Sequence, residues 1–382
     1  MKSKKLLYVL VSLLLITAIL LPIYYNSTSL LIKQSKNPNI IAIYEESDKN
    51  ADIKTPSKLY SRYCALIDGD SNRVLFEQNG FTAAPMASTT KIMTCILAIE
   101  LCPLTYECIT SPYAASMPDV QLDLVAGEKA TLKDLLYSLM LRSHNDTAVV
   151  IAENVACYCK NIDNASLLNA TKEYSQSLVA DFVKIMNTKA RELNASSAHF
   201  VTPNGLDATD SEGPHSINAI DLCKIMAYCI KNEHFLEITQ TRSYSVKTNK
   251  RTIPITNANT FLDMMSGVIS GKTGFTGDAG YCYVCALKRA DKTYICALLV
   301  CGWPNNRSYK WSDAKKILNH GINYYESIDL ISNLRMPKLS NSALNITNDI
   351  CNKQLINQNE SILYIFDDIQ KNGDCILNII VD

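Results

Sequence analysis

A serine followed three residues later by a lysine, within Pro85-Met86-Ala87-Ser88-Thr89-Thr90-Lys91-Ile92-Met93-Thr94, constrains this chain more than any other stretch. Behind the pair, Ile92, Met93, Ile96 and Ile99 recur at helical spacing, which predicts a largely buried helix. Residues three apart on a helix share a face, with Cβ atoms about 5–6 Å apart. A hydroxyl becomes a useful nucleophile when a base takes its proton. A lysine is such a base when burial or a neighbouring cation keeps it neutral. Ser88 and Lys91 therefore read as a nucleophile and its base, with the N–H dipoles of a helix N-terminus close by. Taken alone, the tetrapeptide reads better as a helix cap followed by a solvated lysine.

Two further stretches change that balance. Thr131 and Asp134 resemble a capping box that opens a helix carrying Leu132, Leu135, Leu136 and Leu139. That helix is expected to end at Arg142, leaving Ser143-His144-Asn145 in a connection before the apolar stretch from Ala148 to Val155. In isolation Ser143 and Asn145 read as caps of the following helix. Further on, Gly271-Lys272-Thr273-Gly274 precedes two β-rich runs, Tyr281 to Leu287 and Tyr294 to Val300, joined by Lys288 to Thr293 as a hairpin. Gly274 would let a ligand backbone approach closely; on its own the triplet reads as a surface turn. Ser-x-x-Lys, Ser-x-Asn and Lys-Thr-Gly in this order form the motif set of penicillin-binding proteins and serine β-lactamases.

At these residues the chain resembles the low-molecular-mass penicillin-binding proteins that act as serine D-alanyl-D-alanine carboxypeptidases. The stretches ALIDGDSNRVLFEQN, PMASTTKIMT, LLYSLMLRSHNDTAVVIAE, HFVTPNGLD and GVISGKTGFTGDAGYCYVCALKR carry the likeness, which covers roughly Lys58 to Tyr325. The resemblance implies an α+β, multi-domain chain built on the penicillin-binding protein/serine β-lactamase-like transpeptidase fold. In that fold an antiparallel sheet is flanked by helices and joined by a helical lobe, with the cleft between them. It implies that Ser88 attacks the penultimate D-alanine carbonyl while Lys91 takes its proton, and that Ser143 relays a proton to the departing D-alanine. Asn145 would bond the substrate amide. Lys272 and Thr273 would hold the terminal carboxylate beside Gly274, and the backbone N–H groups of Ser88 and Phe275 would hold the oxyanion. The expected partners are peptidoglycan stem peptides ending in D-Ala-D-Ala, with β-lactam antibiotics as inhibitors; no metal or organic cofactor is expected. Two alternatives stand beside this. A serine β-lactamase shares the motifs but needs fast deacylation, commonly through a glutamate-held water. A non-catalytic, membrane-anchored penicillin-binding or sensor module would keep the pocket without turnover.

The rest of the chain sets the frame. Its 382 residues allow two or three domains, and 37 basic residues against 37 acidic ones imply no nucleic-acid-binding field. The five histidines show no His-Glu-x-x-His spacing, against a zinc peptidase. Lys2, Lys4 and Lys5 precede an apolar run from Leu6 to Tyr25, long enough to span a bilayer with the basic flank inside. No small-x-small cleavage site follows the run, so residues 1–25 read as an anchor or signal segment, the uncleaved anchor being favoured. The catalytic part is then extracytoplasmic on a single-pass membrane protein, or secreted if the segment is cleaved. Residues 26–57 read as a linker, 58–326 as the catalytic domain, and 336–382 as a small divergent β-rich segment with strand-like runs at Ile362 to Phe366 and Ile376 to Val381. Leu178, Phe182, Ile185, Met186 and Leu193 mark one amphipathic helix, Asp221 to Ile230 a shorter one and Asp313 to Tyr325 a last one. Phe200 to Asp207, with Pro203 and Gly205, is a loop at the cleft. The 14 cysteines, among them Cys95, Cys282, Cys285 and Cys296, read mostly as free thiols in the core. His144 is expected to point to solvent, and Pro214-His215-Ser216 is given no role.

Overall fold

A computed structural model describes residues 53–329 and, outside them, the strands Leu30–Gln34, Ile40–Glu45, Lys353–Asn357, Ile362–Asp368 and Cys375–Val381. The chain divides into two units, one of residues 56–321 and one that combines 1–55 with 322–382.

The larger unit is built on five antiparallel strands: β1 (Tyr63–Asp68), β2 (Val74–Gln78), β3 (Val268–Thr276), β4 (Gly280–Arg289) and β5 (Lys292–Leu299). Their order across the sheet is β3-β4-β5-β1-β2, so β5 returns to pair with the strand that opened the unit, Tyr294 opposite Asp68 and Leu299 opposite Tyr63. β4 is buried along its first eight residues, and β5 along nearly its whole length. Strands covered on both faces show no polar alternation, which is why these read from the sequence as unbroken apolar runs. One face, with Ala65, Ile67, Val284, Ala286, Ile295, Ala297 and Leu299, belongs to the main apolar core. On β4, Tyr283 points the other way and meets Trp311 edge to face, ring centroids 4.8 Å apart.

Helices facing the core include α1 (Lys91–Leu101), α2 (Leu132–Arg142), α3 (Asn145–Cys159), α4 (Lys172–Glu192) and α5 (Ala219–Cys229), while α6 (Tyr309–Tyr324), late in the chain, lies against Leu66, Tyr283 and Tyr294 on the other face of the sheet. α2 starts where its capping box predicts: Thr131 Oγ1 accepts the Asp134 N–H at 3.1 Å. The same Asp134 carboxylate accepts the Lys247 N–H at 2.9 Å, tying α2 to the hairpin Ser243–Lys247/Thr252–Thr256. α6 begins about one turn before the expected Asp313, and α3 begins at Asn145 itself.

The other unit differs from the sequence reading. The stretch 26–57, read as a linker, holds two strands, Leu30–Gln34 and Ile40–Glu45, which pair with each other. Ile40–Glu45 also pairs with Ile362–Asp368, and that strand with Cys375–Val381, giving a four-stranded antiparallel sheet. The partner of Ile40–Glu45 lies more than 300 residues further along the chain, so no local pattern announces it. The apolar run Leu6 to Tyr25 lies outside the described residues; among those described, no helix is long and apolar enough to cross a membrane. The cysteines from Cys64 to Cys301 are all unpaired, and Cys159 alone among them is exposed.

Candidate active site

The site is assembled from a tight turn, a strand and two loops. Ala87–Thr90 forms a 3-10 turn that runs directly into α1, so Ser88 sits just ahead of the helix and Lys91 on its first turn. Ala87 adopts φ +47, a left-handed conformation unusual for alanine. Two close approaches hold it there. Gly205 (φ +82) presses on the turn so tightly that a Cβ at that position would lie 2.1 Å from the Ala87 carbonyl oxygen. From β3, a Cβ on Gly274 would lie 2.9 Å from both the Ala87 Cβ and the Ser88 backbone N. Glycine at 274 is therefore what lets the strand lie alongside the nucleophile's turn.

Lys91 is fully buried, and its Nζ lies 2.9 Å from Ser88 Oγ, 2.9 Å from Asn145 Oδ1 and 2.6 Å from the Asn204 carbonyl oxygen. Burial, and then the nearby charge of Lys272, push its pKa well below the ordinary lysine value. The partners suit the neutral amine. Its two N–H groups can serve Asn145 Oδ1 and the Asn204 carbonyl, which only accept. The lone pair is left for Ser88, whose hydroxyl can donate.

Ser143 closes α2 in the left-handed region, at φ +68, a conformation that costs a non-glycine residue about 1–2 kcal/mol. There its hydroxyl accepts from Lys272 Nζ at 2.8 Å, while the same ammonium donates to the Thr273 carbonyl at 2.7 Å. Lys272 is 2 % exposed, and burial lowers its pKa from 10.5 to about 7. It is therefore a cation only in part at neutral pH.

Asn145 gives both amide donors to the protein, to the carbonyls of Pro118 at 3.1 Å and Asp119 at 3.0 Å. That loop is in turn held by Asp146, whose carboxylate accepts the Leu122 and Leu124 N–H groups at 3.0 and 3.1 Å. The expectation that His144 faces solvent is corrected here. It is 5 % exposed, with Nδ1 2.7 Å from Ser138 Oγ on α2, and burial lowers its pKa to about 4, so it is neutral. His215, which the sequence left without a role, is buried behind the turn. Its Nδ1 accepts the Val201 N–H at 2.9 Å, which leaves Nε2–H to donate to Thr90 Oγ1 at 2.7 Å.

A cavity of about 380 Å3 is lined by Ser88, Ser143, Asn145, Thr273, Gly274 and Phe275 among others, with Lys91 and Lys272 buried behind Ser88 and Ser143. Phe275 is 42 % exposed at its mouth and leans on Tyr281, ring centroids 4.8 Å apart. The structure thus brings every motif residue singled out from the sequence to one place. Sequence reasoning missed the Asn204 carbonyl, the Pro118–Asp119 carbonyls and the buried His144. Of these only Asn204 had a local signal, the turn-forming Pro203-Asn204-Gly205. Among the described residues, no group of histidine, cysteine, aspartate and glutamate side chains is arranged to hold a metal ion. The constellation can activate a hydroxyl, place a buried lysine opposite an anion and offer backbone donors beside the nucleophile.

Comparison with known proteins gives the same direction. A family model described as D-alanyl-D-alanine carboxypeptidase matches residues 50–162 and 169–300. The D-alanyl-D-alanine carboxypeptidase DacF of Bacillus subtilis is 28% identical over 273 residues, 70% of this chain and 63% of that protein, so the chain spans a little under two thirds of that relative. A D-alanyl-D-alanine carboxypeptidase of Streptomyces sp. strain K15 is 29% identical over 268 residues, 67% of this chain and 85% of that protein. The crystal structure of the Streptomyces K15 DD-transpeptidase matches with a TM-score of 0.61 at 27% identity, over 71% of this chain and 100% of that one. With its motif residues gathered around one cavity and most of residues 50–300 matched, the chain belongs to the Peptidase_S11 family of D-alanyl-D-alanine carboxypeptidases.

Proposed function

We propose that this protein removes the terminal D-alanine from peptidoglycan stem peptides through an acyl-enzyme on Ser88, and that β-lactams trap it at that step. The observation that carries the reading is the 2.9 Å contact between Ser88 Oγ and a buried Lys91 whose pKa is lowered. In this mechanism neutral Lys91 takes the Ser88 proton as Oγ attacks the penultimate D-alanine carbonyl. The developing oxyanion rests on the backbone N–H groups of Ser88 and Phe275. The C–N bond breaks, and the proton that Lys91 took is returned through the Ser143 hydroxyl, poised on Lys272, to the departing D-alanine nitrogen, which leaves Lys91 neutral again. The substrate carboxylate lies against Lys272 and Thr273 beside Gly274; its charge favours the protonated form of Lys272, so binding at neutral pH takes up a fraction of a proton. Asn145 orients Lys91, and its contact with the substrate amide requires it to exchange one of the bonds it makes to Pro118 and Asp119. Water then hydrolyses the ester.

The serine β-lactamase reading has less support: Asp119 is the one carboxylate residue lining the catalytic cavity among those described, and no glutamate does. A non-catalytic sensor would have no need of a buried base on the nucleophile. The test is D-alanine release from a D-Ala-D-Ala peptide together with intact-protein mass after penicillin. One adduct is expected on the wild type and none on Ser88→Ala. An adduct that persists in Ser88→Ala removes the assignment, and fast penicillin turnover reverses the ranking of enzyme classes. We further propose that Leu6 to Tyr25 stays in the membrane and holds the catalytic unit outside the cytoplasm. N-terminal sequencing of the native protein that begins near Asn26 or later would mean the segment is cleaved.

A further inference from the structure

Beside the catalytic cavity lies a larger groove, of about 770 Å3, which the chemistry above leaves unused. Gln121, Leu122 and Asp123 line it together with the facing residues of the hairpin Ser243–Lys247/Thr252–Thr256. The volume falls within the range of about 300–1,000 Å3 typical of small-ligand clefts. Arg142 lines both this groove and the catalytic cavity, and among the described residues it is the only arginine lining either.

Arg142 is exposed, and it has no hydrogen-bond or ion-pair partner among the described residues. Other arginines nearby are occupied: Arg251 pairs with Glu128 at 3.2 Å and Arg242 with Asp263 at 2.8 Å. A cation at the C-terminal end of α2 is favourable for the helix dipole alone. That accounts for a basic residue at this position. It does not account for a guanidinium placed at the rim shared by two concavities. Burial pushes the pKa of Lys91 well below the ordinary lysine value and that of Lys272 down to about 7. Arg142 is therefore a permanent positive charge beside two lysines that are not.

The position of the reacting groups says which part of a substrate meets it. The departing D-alanine and its carboxylate belong with Lys272 and Thr273, so the acyl portion extends away from them. Arg142 lines both the catalytic cavity and the larger groove, where Leu122, Ile253, Pro254 and Ile255 offer an apolar lining. We propose that this groove takes the stem peptide ahead of D-Ala-D-Ala. In it Arg142 binds a free carboxylate on the side chain of the residue that precedes the D-Ala-D-Ala pair. Arg142 is thereby a specificity residue that selects stems whose carboxylate is not amidated. Guanidinium–carboxylate pairing is planar and bidentate, so the carboxamide is a poor substitute.

This rests on the carboxypeptidase reading, and the test separates the two. Two synthetic peptides are compared, identical and ending in D-Ala-D-Ala, except that the preceding residue carries a side-chain carboxylate in one and the carboxamide in the other. The expected result for wild type is a kcat/KM for D-alanine release about tenfold higher for the carboxylate peptide, in line with a charge-assisted bond at a partly exposed site. That preference should shrink with added salt. In Arg142→Gln the ratio should fall to near one, and in Arg142→Lys an intermediate ratio should remain. Equal release from both peptides by wild type overturns the groove assignment alone, as does a ratio that survives in Arg142→Gln. Release from neither peptide overturns the proposed function, and this inference with it.

Discussion

Replacing Lys272 with methionine should make the protein more stable while disabling it. The lysine is 2 % exposed, and its pKa falls from 10.5 to about 7 on folding. In the unfolded chain at pH 7 the same side chain is fully protonated. Between pH 7 and 10.5 the unfolded state therefore binds more protons than the folded one, and stability rises with pH. At about 1.4 kcal/mol per pH unit, the gap between 10.5 and about 7 corresponds to an order of 4–5 kcal/mol held against folding at pH 7. Methionine fills a similar volume without that cost. It loses the bonds from Nζ to Ser143 and Thr273, worth about 1–3 kcal/mol together. The net expectation is a gain of about 1–4 kcal/mol at pH 7 that shrinks steadily toward pH 10. Denaturant unfolding of wild type and Lys272→Met at several pH values, with D-alanine release measured alongside, reads both effects. Activity should fall by about 30-fold or more, as expected when a desolvated charge-assisted contact is removed. A variant that is less stable than wild type at pH 7, or a stability difference that does not change with pH, would refute the argument that Lys272 is strained by burial.

The base and its surroundings give two further expectations. Lys91→Arg keeps a cation but cannot take a proton near neutrality, so the folded variant should acylate about 10²–10⁴-fold more slowly by penicillin-labelling kinetics. In wild type the same rate should rise with pH through an apparent pKa that belongs to the Lys91–Lys272 pair and lies below the usual lysine range, because protonated Lys91 has no lone pair for Ser88. Gly274→Ala puts a methyl 2.9 Å from the Ser88 backbone N, so the turn must move. Acylation should drop at least tenfold while thermal stability falls by only about 1–3 kcal/mol, and near-normal acylation would mean the turn yields without displacing Ser88.

What could be read from the sequence, and what could not, follows the range of the forces involved. The start of α2 was legible because Thr131 and Asp134 satisfy each other within one turn. Ser88, Lys91, Ser143 and Asn145 were legible because each lies next to an element boundary, whereas Lys272 to Gly274 sit inside β3 and were legible only as a triplet. The 3-10 turn at Ala87–Thr90 was not, since the Ala87 conformation is imposed by Gly205 and Gly274, brought in from remote parts of the chain. The Asn204 carbonyl could not be named as a ligand of Lys91, because a backbone oxygen carries no residue type. His144 was misread for a related reason. Its burial depends on Ser138, one and a half turns back on α2, and on how α2 and α3 meet. The strands in 26–57 were missed because their pleat is completed by Ile362–Asp368.

That last pairing has a consequence for how the protein comes into being. In the order of synthesis the segment carrying Leu30–Gln34 and Ile40–Glu45 precedes the larger unit and Ile362–Asp368 follows it. A two-stranded hairpin alone is marginal in water, so the early strands wait with an unpaired edge while some 300 residues emerge and fold. Such an edge is open to pairing with another chain for as long as it waits. The maturation of this unit therefore waits on Ile362–Asp368, and a chain that stalls after the larger unit is complete would carry the early hairpin with its edge still unpaired.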